Sequence, residues 1–102
     1  MNFVIVNKTE YTPEEYLGQE DAPVFHLDVM TAEEAESGIA AHLKGSDYVS
    51  LYCKQIDGFS INGKAITTGA ELVKLPQAFH WVNDLAAKIL NLGLLEPESK
   101  ND

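Results

Sequence analysis

Pro23-Val24-Phe25-His26-Leu27-Asp28-Val29-Met30, followed directly by Thr31-Ala32-Glu33-Glu34, decides the fold class of this 102-residue chain. In an extended segment Val24, His26, Asp28 and Met30 share one side, and Phe25, Leu27 and Val29 share the other. The second set is uniformly apolar, as a strand with one face on a core requires. Thr31 then offers a side-chain oxygen to the start of a helix. Glu34, three residues on, is placed to close a capping box. A strand that passes straight into a capped helix predicts an α+β domain.

Upstream, Phe3-Val4-Ile5-Val6 is a short β-prone run, and residues 2–6 are expected to pair with 23–30 as an antiparallel ribbon that something else must cover. Between them, Thr12-Pro13-Glu14-Glu15 carries a second capping signal for a short helix that Gly18 ends. Downstream, the helix opened by Thr31 is expected to run to about Leu43, with Ala35, Ile39 and Leu43 on one stripe. Gly38 weakens it by up to ~1 kcal/mol relative to alanine, and Lys44-Gly45 is the stop.

Asp47–Ile56 reads two ways. A helix, the preferred reading, would align Tyr48, Leu51, Tyr52 and Ile56, with Ser46 or Asp47 as cap. A strand would alternate Val49, Leu51 and Cys53 with Tyr48 and Tyr52. Asp57-Gly58 and Asn62-Gly63 are turn signals, with Phe59 and Ile61 entering the core between them. Thr68-Gly69-Ala70-Glu71 begins a short helix to about Lys74. Leu75-Pro76 restarts the chain in a longer helix over 77–92. Phe79, Val82, Ala86 and Ile89 share its apolar face, Leu85 and Leu92 widen that face, and Gly93 stops it. The expected architecture is α+β: a small N-terminal β ribbon, then three to four helices, the last long and amphipathic. Residues 1–93 form a single globular domain, and 94–102 read as a flexible acidic tail.

The formal net charge is −9, and all seven basic residues are lysine. Residues 1–36 hold nine acids and one lysine. Such a chain repels phosphate backbones and anionic membranes, which excludes a conventional nucleic-acid binder and disfavours a membrane surface. The acidic third reads either as a face that maintains solubility or as an acidic arm. A single cysteine, Cys53, rules out an intrachain disulfide and fits a reducing, cytoplasmic compartment. No apolar run approaches bilayer length, and no signal-peptide pattern is present.

Chemistry is sparse. His26 and Asp28 share a strand face and could begin a metal site, but no second pair completes it. His42 and His80 are isolated. Cys53 has neither a glycine-rich elbow nor an adjacent base, so it reads as core filler. Glu33, Glu34 and Glu36 suit a helix N-terminus. Calcium-loop, phosphate-loop and dinucleotide fingerprints are missing. These readings predict no catalytic residue, no cofactor and no metal, and a protein that works by binding another protein.

From Ala22 to Leu92 the order of features resembles the tail assembly chaperones of long-tailed bacteriophages. The strand Pro23–Val29 enters a helix at Met30-Thr31. Tyr48–Cys53 runs into Ile56-Asp57-Gly58-Phe59, and Asn62-Gly63-Lys64 and Ala70-Glu71-Leu72 follow. Leu75-Pro76 opens the closing helix. The resemblance implies a cofactor-free protein of the host cytoplasm that binds the tape-measure protein and shields its apolar helices until tail-tube subunits enclose them. Some members of that family also have a longer frameshifted form. Tyr52, Phe79, Trp81 and Leu85 are then the candidate protein-binding residues, because aromatics dominate interface energetics; the alternative for each is plain core packing. The composition also permits a homo-oligomer. The competing reading is an acidic antagonist, an immunity or anti-defence protein, blocking a basic enzyme or nucleic-acid groove through the carboxylates of residues 1–36.

Overall fold

In the computed structural model, which describes residues 1–94 and the backbone of 96–97, Val24–Asp28 is the middle strand of a three-stranded antiparallel sheet. The elements in chain order are β1 (Phe3–Val4), β2 (Lys8–Tyr11), a 3-10 turn (Glu14–Tyr16), β3 (Val24–Asp28), α1 (Ala32–Ala40) and α2 (Gly45–Tyr52). Then come β4 (Cys53–Asp57), β5 (Ser60–Ile61), β6 (Lys64–Ala65), α3 (Gly69–Leu72), α4 (Phe79–Leu92) and β7 (Glu96–Pro97). The sheet runs β2-β3-β4, while β1–β7 and β5–β6 are separate two-stranded pairs. The fold is α+β, and α4 is the longest helix among the described residues. The strands are spread along the chain and are not confined to an N-terminal ribbon.

The expected pairing of residues 2–6 with β3 is not formed. β2 takes that place, with Thr9 opposite Leu27 and Tyr11 opposite Phe25. Phe3 and Val4 instead face Pro97 and Glu96. β3 has one dry face and one wet face. A partner must therefore alternate, and Lys8-Thr9-Glu10-Tyr11 does: Lys8 and Glu10 are exposed, Thr9 and Tyr11 half-buried. Four apolar residues in a row would put two on the wet face. Thr12 does not cap the turn that follows. Its hydroxyl donates to the Pro23 carbonyl at 2.9 Å, tying the end of β2 to the entrance of β3.

The capping box at Thr31 forms as expected: Thr31 Oγ1 accepts from the Glu34 N–H at 3.1 Å, and Glu34 Oε1 accepts from the Thr31 N–H at 2.8 Å. α1 ends at Ala40, short of Leu43. His42 adopts φ 55°, and the Leu43 N–H returns to the Gly38 carbonyl at 2.9 Å. This is a Schellman closure with histidine at the left-handed position. The expected stripe therefore fails at Ile39, which is 72% exposed, and Gly38 is the residue of α1 that is buried.

Asp47–Ile56 is both helix and strand, changing at Cys53. α2 buries Tyr48 and Val49, and Leu51 is exposed. Asp47 is not the cap residue; its carboxylate accepts from the Lys44 N–H at 2.8 Å. β4 then buries Cys53 and Ile56, and the Ile56 N–H donates to the Thr67 carbonyl at 2.8 Å. Asn62-Gly63, with φ of 52° and 79°, closes the β5–β6 hairpin, as a two-residue turn of positive φ should.

Thr68 caps α3 by accepting from the Glu71 N–H at 3.2 Å. α4 begins at Phe79, not at residue 77, because Gln77 takes φ 63° and cannot be helical. Leu85, Ala86 and Ile89 face the core with Phe25, Leu27, Val49, Cys53 and Leu72. Burial of Leu85 and Ile89 contributes roughly 2–3 kcal/mol each. Leu92 is the last helical residue and Gly93 the C-cap. The acidic tail expected at 94–102 lies mostly outside the described residues.

Candidate interaction surface

The wet face of the sheet carries His26 and Asp28, the pair that the sequence offers as the beginning of a metal site. His26 Nε2 lies 2.7 Å from Asp57 Oδ2 on β4, and Gln55 Nε2 donates to Asp57 Oδ1 at 3.1 Å. These bonds, from Gln55 first and then His26, hold the Asp57 carboxyl below its usual range. Asp28 pairs with Lys54 Nζ at 3.7 Å rather than with His26. His26, Asp28, Lys54 and Gln55, together with Lys8 and Glu10, line an open cleft of about 640 Å³, and Asp57 lies outside it. The bulge between His26 and Leu27 puts both Lys54 and Gln55 at the surface while Cys53 turns inward opposite Leu27.

Cys53 is fully buried, and burial, with a smaller contribution from Asp28, pushes its thiol up to about 11. It therefore sits away from His26, on the helix-covered side of the sheet, and the two do not make a nucleophile–base pair. His42 is exposed in the α1–α2 turn, and His80 is exposed beside Phe79 with ring centroids 6.0 Å apart. Among the described residues no group of three His, Cys, Asp or Glu side chains is placed to hold a metal ion. No helix among them is long and apolar enough to cross a membrane.

The four candidate protein-binding residues do not share a surface. Leu85 is 1% exposed and belongs to the core. Trp81 is half-buried in an aromatic cluster, stacked on Tyr16 at 5.5 Å, tilted against Phe25 at 5.6 Å and edge-on to Phe59 at 5.0 Å. Tyr52 is half-buried, stacks on Tyr48 at 6.5 Å and hydrogen-bonds Glu34; desolvation first, then Glu34, raises its hydroxyl. Only Phe79 is freely presented, at 74% exposure, because the left-handed Gln77 delays the helix and leaves Phe79 in its first turn.

The larger apolar surface was not among those candidates. Phe3, Val4, Ile5 and Val6 are all exposed, Ile5 to 76%, as are Leu90 and Leu94 where α4 leads into β7. The β1–β7 pairing brings the two segments side by side. The sequence predicts residues 2–6 as one strand of a ribbon with 23–30, and residue 94 as the start of a tail. The available signal was the lack of alternation in Phe3–Val6, which fits a strand wet on one side poorly. Glu14, Glu15, Glu20, Asp21, Glu33 and Glu36 are exposed as well.

No protein-family model matches this chain, nor does any curated protein or solved structure.

Proposed function

We propose that this chain is a protein-binding chaperone of the tail-assembly type, which holds apolar helical segments of a tape-measure protein until tail-tube subunits enclose it. The observation that carries this reading is the exposed apolar surface at Phe3–Val6, Leu90 and Leu94 on a chain of net charge −9. Exposed large apolar side chains on a strongly charged domain mark a candidate site for another macromolecule, and an amphipathic helix is a common occupant. The surrounding charge keeps the loaded complex dispersed. The order of elements over residues 22–92 adds the resemblance to tail assembly chaperones. The reading places the contacts on the terminal strands and the end of α4, with Phe79 as the one exposed aromatic of α4.

The test is capture from infected host cells at low and high salt, with the retained proteins identified by mass spectrometry. A large helix-rich tail protein held in high salt, and lost when Phe3 and Ile5 are both replaced by serine, is the expected result. The exposed carboxylates of the first third favour a second reading, the acidic antagonist. That reading requires a basic protein released by salt and insensitive to the serine variants.

A further inference from the structure

β2 is an edge strand, and its free edge has a definite pattern. The Asn7 carbonyl accepts from the Val29 N–H at 3.1 Å, which marks Asn7–Val29 as a hydrogen-bonding position. In an antiparallel ladder these positions recur every second residue. Thr9–Leu27 and Tyr11–Phe25 therefore exchange backbone bonds, while Lys8–Asp28 and Glu10–His26 do not. Lys8 and Glu10 direct their own N–H and C=O groups away from β3, to an edge where no further strand of the sheet lies among the described residues.

We infer that this edge pairs with the same edge of a second copy, antiparallel, about a two-fold axis at Thr9. In that register Lys8 lies opposite Glu10 of the second copy, and Glu10 opposite its Lys8. Both are outward-facing residues, so each pair exchanges backbone bonds, and the opposite charges sit on one face at cross-strand distance. Neighbouring registers fail. An axis at Glu10 sets glutamate against glutamate, and an axis at Lys8 sets lysine against lysine. An axis between Thr9 and Glu10 matches an inward-facing residue with an outward-facing one, leaving no bonds to exchange. The wet face carries the pattern further. Lys54, Asp28 and Lys8 in one copy lead to Glu10 of the other, so charge alternates up to and across the junction. A pair of four-residue edges is smaller than a standard stable interface, so association is weak and rises with concentration.

Sedimentation equilibrium of the full chain over a concentration series tests this. The parent should approach twice its monomer mass at high concentration. Lys8→Glu and Glu10→Lys should each weaken self-association by about tenfold, since each creates two like-charge pairs per dimer. An equal mixture of the two variants should associate like the parent, as should the double variant, because both restore two opposite-charge pairs. A bulk-charge effect predicts otherwise: Glu10→Lys reduces the negative charge and would strengthen association. A parent that stays monomeric, a Glu10→Lys chain that associates at least as well as the parent, or a mixture that does not associate would overturn the inference. Far-UV circular dichroism confirms that each variant is folded.

Discussion

A methyl group on Gly38 would stand 2.6 Å from the Tyr48 hydroxyl oxygen and 3.2 Å from Leu43 Cδ1. The glycine that looks like a flaw in α1 is the point where α1 touches α2. Alanine there gains up to ~1 kcal/mol of helix propensity and loses ~1–3 kcal/mol to overpacking. Gly38→Ala is therefore expected to lower the urea midpoint. The loss should shrink in a Tyr48→Phe background, where the nearest atom is gone; equal losses in both backgrounds would mean that the hydroxyl is not the obstacle.

Gly69 is the stricter case. A Cβ there would collide with the Val49 carbonyl oxygen and lie 2.6 Å from the Cys53 carbonyl oxygen. These are backbone atoms at the junction of α2 and β4, and they cannot rotate aside. Gly69→Ala is expected to cost ~3 kcal/mol or more. Urea titrations of both glycine variants should rank it the more damaging.

Three surface carboxyls, Glu71 among them half-buried, are held below their usual range by donors. Glu34 is held chiefly by the Thr31 N–H, Glu71 chiefly by the Thr67 N–H, and Asp57 chiefly by Gln55. A folded-state pKa below the unfolded one gives stability that is complete above the unfolded value and lost as pH falls through the folded one. Stability should be level near neutrality and decline below about pH 4. Glu71→Gln should flatten part of that decline when melting temperature is followed against pH.

Cys53 should be inert to iodoacetamide at pH 8 in the native chain, because burial raises its thiol to about 11. Alkylation should become quantitative in denaturant, where the pKa returns towards 8.5. Mass spectrometry of the two reactions gives the answer directly, and rapid native labelling would contradict a sealed core.

The α+β class, the inward face of Phe25 and Leu27, the Thr31 and Thr68 caps, the Asn62-Gly63 turn and the final helix were legible because each rests on local chemistry. β2 was not. Lys8-Thr9-Glu10-Tyr11 has one apolar residue, and its strand character comes from the neighbour it pairs with. Phe3–Val6 looked the better strand on propensity, yet it lies at the surface. Tyr52, Trp81 and Leu85 stand out in the sequence by aromatic or apolar character, which cannot separate core from interface. Phe79 was separated from its stripe only by the left-handed Gln77, and no residue type announces that turn.

The aromatic cluster has an optical consequence. Trp81 is the sole tryptophan, so the long-wavelength emission of the chain comes from one indole. Its neighbours belong to three separate parts of the molecule: Tyr16 from the acidic turn, Phe25 from the central strand and Phe59 from the loop before the hairpin. Tyr16 stacks on it closely enough to pass on absorbed light. The domain thus carries a built-in lamp whose colour reports whether those three parts are seated on α4, without a dye or a label.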